Sequence, residues 1–323
     1  MEHLRSKEYA GGKMLSAADD GVGLITFNQP EKRNAISIEM WEGMGQILDA
    51  FAADQSVRVV VLTGAGNKAF VSGADISQFE KQRSNADAQR EYDRLTSAGR
   101  IKLANFPKPT IARIRGFCLG GGLAIAMQAD LRIAAVDSQF GIPAARLGIA
   151  YAFDSVRRLV SLVGPAHARM ILYTGTRIDA AEAERIGLIN RTVDDAALSD
   201  TVLEIARTIA DNAPLSLAAS KHAVEQVLRD AGDRDTAGLK AHMDACFDSA
   251  DYREGRTAFM EKRTPRFKGM YVEWRLSSRI EGDCRPGDER GGTDIRRPDV
   301  ARNQGASSHG GVGVKRRVAR EGH

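Results

Sequence analysis

Aromatic residues are scarce in this chain, at 6% of 323 positions, and cysteine is scarcer still, with only Cys118, Cys246 and Cys284. No two of the three share a CxxC spacing, so neither a disulfide framework nor a structural zinc site is expected. The histidines (His3, His167, His222, His242, His309 and His323) show neither HExxH nor CxxH spacing, and no metal ligand set is assigned. GxSxG is absent, which removes the usual nucleophile elbow. No apolar run reaches the roughly 18–20 residues that span a bilayer, and the opening MEHLRSKEYAGGK has no signal-peptide core. Neither sign of charge dominates, with 46 basic against 42 acidic residues. No Lys/Arg stripe with interleaved aromatics appears, so nucleic acid is not an expected partner. These absences point to a soluble, cytoplasmic protein without a membrane partner.

What is present is ordinary globular material: 43% hydrophobic and 27% charged residues, enough for a substantial core. Gly21–Asn28 reads as a strand, and Ser37–Asp54 as a helix with Ser37 as its N-cap. Val57–Leu62 is a nearly continuous apolar run of the kind found in a sheet covered on both faces. Lys68–Ile76 reads as a loop whose one carboxylate is Asp75, and Ala86–Asn105 as a polar helix. Thr110–Ile114 is a strand, followed by a Gly-rich turn, an apolar helix Gly121–Gln128 and a β-rich run Asp130–Ala135. From Asp154 the pattern turns helical, with segments at 154–163, 165–173, 180–186, 198–212, 214–229 and 251–262. Strands crossed by helices and then a run of helices predict an α/β core with a helical C-terminal part. The division expected is a core over 10–195, a helical region over 196–271 and a tail over 272–323. The tail has 13 hydrophobic residues in 52, nine glycines and 11 basic residues against 8 acidic ones, a composition that does not offset its ordering entropy.

Val57–Leu62 followed by GAGNKA superficially matches a dinucleotide fingerprint, but no helix opens on its glycines as that motif requires. Cys118 reads as a small residue packed beside a tight turn. Two glycine-bearing segments stand out: Lys68–Ile76 (KAFVSGADI) and Gly116–Ala124 (GFCLGGGLA). Three successive glycines cost a helix about 1 kcal/mol each relative to alanine, which is tolerated where the backbone turns sharply or a ligand approaches. A helix start there also leaves N–H groups free and a partial positive charge directed outwards.

With these motifs in order, the sequence resembles the crotonase (enoyl-CoA hydratase/isomerase) family from about Gly21 to Phe267. The resemblance is carried by QPEKRNAIS, AFVSGADIS, IRGFCLGGGLAIAMQADLRIA, FGIPAARLGIA, GTRIDAAEAERIGLIN and EGRTAFMEKRTPRF. It implies a spiral of ββα turns forming two roughly perpendicular sheets, followed by helices that assemble a homotrimer or a dimer of trimers. It also implies an acyl-CoA thioester as substrate, no separate cofactor, and an oxyanion hole made by the backbone N–H groups of Ala74 and Gly121. Lys32, Arg33 and Ala35, with Ala69, Ala74, Asp75 and Ile76, would lie along the bound molecule, and Phe259 and Lys262 would reach a coenzyme A in a neighbouring subunit.

The departures bear on the reaction. The two glutamates that a hydratase of this family uses fall, by motif matching, at Ala124 and Ala144, and a methyl group neither activates water nor protonates a carbon. Tyr151 and Asp154, in GIAYAFDS, are the substitute candidates, with Glu80 and Arg83 behind them. Tyr151 matches a tyrosine of methylmalonyl-CoA decarboxylase, a member without the glutamate pair, and FDSADYREG and EKRTPRF extend that similarity. The same decarboxylase carries a histidine where Ala74 stands. For Asp154 the alternative is a helix N-cap, and for Tyr151 a packed aromatic at the pocket wall. Three functions follow: an acyl-CoA enzyme that stabilises a thioester enolate, a decarboxylase-like lyase, and a catalytically silent acyl-CoA-binding protein.

Overall fold

The computed structural model describes residues 6–75 and 85–269. The tail from Val272, the position Ile76 and the candidates Glu80 and Arg83 lie outside the described residues. The chain opens with three antiparallel strands, β1 (Lys7–Tyr9), β2 (Met14–Asp19) and β3 (Val22–Phe27). Helix α1 (Ile38–Ala53) follows, capped as expected by Ser37, whose side chain accepts from Met40 N. Strands β4 (Val59–Gly64) and β5 (Ala69–Val71) come next, then α2 (Ala86–Ala104). Then come β6 (Thr110–Ile114), β7 (Phe117–Leu119), α3 (Gly121–Gln128), β8 (Leu131–Ala135) and β9 (Gln139–Gly141). Helix α4 (Phe153–Thr174), the short β10 (Ile178–Asp179), α5 (Ala180–Arg185) and β11 (Arg191–Val193) complete the strand-bearing part. Four helices remain: α6 (Leu198–Ala210), α7 (Pro214–Val227), α8 (Thr236–Asp248) and α9 (Ala250–Glu261).

The strands form two sheets, one in the order β1-β2-β3-β4-β6-β8-β11 and one in the order β10-β9-β7-β5. From β3 onward the larger sheet is parallel, and so is β5-β7-β9 in the smaller one. The apolar run in β4 is explained by its two faces. Val59 and Val61 pack with Ile111 and Ile133 against Leu198, Val202 and Ala206 of α6. Val60 and Leu62 face the main core with Phe27, Ile47 and Leu123. A strand covered on both faces has no polar side, and each fully buried Val or Leu contributes roughly 1.5–3 kcal/mol.

Several expectations are corrected. Lys68–Ile76 is not all loop, since β5 occupies Ala69–Val71. The supposed Gly-rich turn contains β7 over Phe117–Leu119. The break expected between the segments at 154–163 and 165–173 is present: within α4 the chain leaves helical geometry at Gly164 (φ 72°, ψ 166°), and Pro165 opens the second half. Helix α4 begins at Phe153 with Ala152 as its N-cap, so Asp154 sits inside the first turn and does not cap it.

Candidate active site

The two amides singled out from sequence lie at the carboxyl ends of neighbouring parallel strands. Strand β5 pairs with β7; Ala74 follows the end of β5 by three residues, and Gly121 follows the end of β7 by two. Loops at the carboxyl ends of parallel strands are where ligands collect in α/β sheets.

The direction of the Ala74 amide is set by a short parallel bridge between Ile36 and Ala74. Ile36 N donates to Gly73 O at 2.8 Å and Asp75 N donates to Ile36 O at 3.0 Å. In a parallel bridge the bonds go to the two residues flanking the partner, so the N–H of Ala74 itself points away from residue 36. It donates to no acceptor among the described residues. Gly121 is the first residue of α3, where the helix supplies no acceptor, and its N–H is likewise unpaired among the described residues.

Two glycines of the triplet have a backbone reason to be there, and the middle one lies against the Ala74 loop. Gly120 adopts φ 50°, ψ −114°, a backbone that side chains disfavour. A β-carbon on Gly121 would stand 3.6 Å from Ala74 N, an ordinary van der Waals distance that shows how near the two loops lie. A β-carbon on Gly122 would stand 2.0 Å from Val71 O. Only hydrogen at position 122 lets the first turn of α3 close onto the end of β5, and that closure brings the two donors together.

Asn34 holds this arrangement from the other side. It is buried in the left-handed region (φ 55°). Its Oδ1 accepts from Gln29 N at 3.0 Å, and its Nδ2 donates to Ala65 O at 2.9 Å and Ala69 O at 2.8 Å. Three turns of chain are thereby tied to one amide side chain. Lys32 Nζ pairs with Asp75 Oδ2 at 2.9 Å, linking the same loop to the residue after Ala74.

Beside this lies a pocket of about 190 Å3 lined by Pro30, Arg33, Asn34 and Ala65–Ala69. Arg33 and Lys68 form no salt bridge among the described residues. The Arg33 guanidinium lies 5.3 Å from the centre of the Phe117 ring, and Arg177 lies 4.9 Å from it. The rim is therefore cationic, which suits an anionic ligand group.

Ala35 and Ala69 are buried beneath the same loops. Ala124 is half-buried on the first turn of α3, and Ala144 is buried in the 3-10 turn Pro143–Leu147, whose proline lies 3.9 Å from where a Gly120 β-carbon would stand. Tyr151 is half-buried, and its hydroxyl donates to Gly120 O at 3.0 Å. Burial and then the nearby Cys118 thiol push the Tyr151 pKa well above the ordinary tyrosine value, with Ser155 pulling weakly the other way. At neutral pH it is a hydrogen-bond donor and not a base. Asp154 is exposed. Phe259 and Lys262 fall elsewhere: Phe259 is 83% exposed, beside an apolar groove of about 480 Å3 shared with Phe247, Tyr252 and Phe267, and Lys262 is exposed at the end of α9. That groove contains neither amide donor. The structural part of Asn34 is not read from the sequence; the turn-forming PEKRN string is its one signal.

Comparison with known proteins identifies the family. The sequence model of the family described as Enoyl-CoA hydratase/isomerase matches residues 17–270. A short-chain-enoyl-CoA hydratase of Clostridium acetobutylicum is 38% identical over 242 residues, covering 75% of this chain and 92% of the relative. A crotonyl-CoA hydratase of Syntrophomonas wolfei is 36% identical over 249 residues, covering 77% and 95%. Among solved structures, an enoyl-CoA hydratase/carnithine racemase from Magnetospirillum magneticum superimposes with a TM-score of 0.76 at 34% identity, covering 79% of this chain and 95% of that one.

Proposed function

Because the chain belongs to the enoyl-CoA hydratase/isomerase family, we propose that it binds an acyl-CoA thioester and stabilises its enolate between the N–H groups of Ala74 and Gly121. The observation that carries this reading is a pair of amides without acceptors among the described residues, on loops so close that a Gly121 β-carbon would stand 3.6 Å from Ala74 N. Enolate formation moves charge onto the thioester oxygen, so donors fixed there stabilise the transition state more than the ground state. Each such donor is worth about 3–4 kcal/mol. The partial positive charge at the start of α3 acts in the same direction. The cationic rim at Arg33 and Lys68 suits the phosphates of the coenzyme A moiety.

The relatives named as hydratases support enoyl-CoA hydration as the reaction. In that reaction a base takes one proton from water as its oxygen bonds to the β-carbon, the C=C electron pair shifts so that charge falls on the thioester oxygen, and the α-carbon of that enolate then takes a proton. Ala124 and Ala144 carry no proton for either step, so another group must carry it. A second reading is favoured by these two methyl groups: loss of CO2 from a malonyl-type acyl-CoA breaks the bond to the carboxylate, leaves its electron pair as the enolate and needs no base. Asp154 is the protein group proposed for proton transfer in hydration. Incubation with crotonyl-, methylmalonyl- and 3-enoyl-CoA under mass detection separates the readings. Hydration appears as the mass of one water gained, decarboxylation as CO2 lost. Tight binding of all three with no conversion supports a silent acyl-CoA-binding protein, and failure to bind any of them overturns the proposal.

The apolar residues exposed on α7, α8 and α9 (Val224, Val227, Met243, Phe247, Phe259 and Met260) favour assembly with further copies of the chain, as a trimer or a dimer of trimers. Light scattering coupled to size exclusion reads that number directly, and a monomer at micromolar concentration rejects it.

A further inference from the structure

The peptide group joining Gly120 to Gly121 contains both the Gly120 carbonyl and the Gly121 N–H, held in one plane and pointing in opposite directions. Whatever grips the oxygen therefore aims the hydrogen. Gly120 O accepts from Ala124 N at 3.0 Å, the first bond of the helix, and from the Tyr151 hydroxyl at 3.0 Å. The first bond accompanies any helix starting here, whereas the second depends on one side chain. No β-carbon at 120, 121 or 122 restricts the rotation of this plane, so its orientation is left to external contacts. Tyr151 is well placed to provide one, because its ring packs against the main hydrophobic core and its hydroxyl is carried to a fixed point.

We propose that Tyr151 is a positioning residue: its hydroxyl locks the Gly120–Gly121 peptide plane, and by drawing electron density towards the carbonyl it makes the Gly121 N–H a stronger donor to the thioester oxygen. Hydrogen bonds in a chain polarise one another in this way. The inference rests on the oxyanion reading above, and it gives Tyr151 work other than proton transfer. To carry a proton, the hydroxyl would have to release the bond that aims the donor.

The test is the infrared carbonyl stretch of [1-13C]acetyl-CoA and [1-13C]butyryl-CoA, free and bound to the full chain. In the wild type the bound carbonyl moves to lower frequency, because two N–H groups polarise it. In Tyr151→Phe, which keeps the ring and its packing, that downshift shrinks by roughly 10–30% or more, the share one hydrogen bond lends the next. Affinity stays within about twofold, or roughly 0.4 kcal/mol. A side chain that served only for packing would change stability and leave the carbonyl frequency alone. Site-specific 3-fluorotyrosine at 151, a stronger donor of nearly the same shape, deepens the downshift and keeps the test open if the phenylalanine variant folds poorly. A variant carbonyl as downshifted as the wild-type one overturns the inference. An unshifted carbonyl in the wild type, or failure of both probes to bind, overturns instead the reading on which it rests.

Discussion

Replacing Asn34 by alanine tests how the site is held together. The side chain satisfies one buried N–H, Gln29 N, one buried carbonyl, Ala69 O, and the part-buried Ala65 O. Each buried backbone group left without a partner costs about 1–3 kcal/mol. At the low end of that range for the two buried groups, the loss is about 2 kcal/mol, and the left-handed backbone at φ 55° adds about 1 kcal/mol for an alanine. An expected loss near 3 kcal/mol is a large part of the roughly 5–15 kcal/mol that holds a domain together. Urea unfolding followed by circular dichroism reads it as a fall in midpoint at unchanged slope. Asn34→Asp sharpens the argument, because a carboxylate would face two carbonyl oxygens. Its folded-state pKa must rise above the unfolded value of about 3.9, so the penalty grows as pH rises from about 4 towards neutrality and is smallest in mild acid. A loss below about 1 kcal/mol in Asn34→Ala, or a pH-independent Asn34→Asp, would refute this account of the loop cluster.

Other outcomes follow from the same structure. Lys108 is fully buried, its Nζ donates to Phe51 O and Asp54 O, and burial lowers its pKa to about 8. Because the folded value lies below the unfolded one of about 10.4, stability rises as pH climbs between the two. The advantage of wild type over Lys108→Met in thermal unfolding should therefore widen from pH 8 to pH 10, and a constant difference would count against it. Gly122→Ala forces a β-carbon to within 2.0 Å of Val71 O, so it should destabilise by about 1–3 kcal/mol and weaken acyl-CoA binding together. Cys118 is buried, and burial pushes its thiol pKa up. Peptide mapping after alkylation at pH 8 should show it modified only once the protein is denatured.

Much of this can be read along the chain, because the informative residues act through local backbone. Ser37 capping α1 and the apolar face pair in β4 are matters of spacing. The triple glycine by itself announces a constrained turn. Strands β5 and β7 escape a reading of the sequence because three residues are too few for an alternation to register, and both lie inside segments whose glycines suggest only turns. Helix α8 escapes for a different reason: its sequence TAGLKAHMDACFD offers no clean apolar stripe, and its start is marked by Asp235, which accepts from Gly238 N. The bond from Tyr151 to Gly120 O is not legible either. It joins a side chain to a carbonyl 31 positions away, and main-chain acceptors carry no residue identity. The aspartate at 154 resembles a cap because helix boundaries shift by a residue or two, and here the cap falls two residues earlier, at Ala152.

The central claim concerns two main-chain hydrogens and one oxygen. A crystal structure of the protein with butyryl-CoA bound should place the thioester oxygen within about 2.7–3.1 Å of both Ala74 N and Gly121 N. A bound thioester whose oxygen reaches neither amide, or only one, would contradict it.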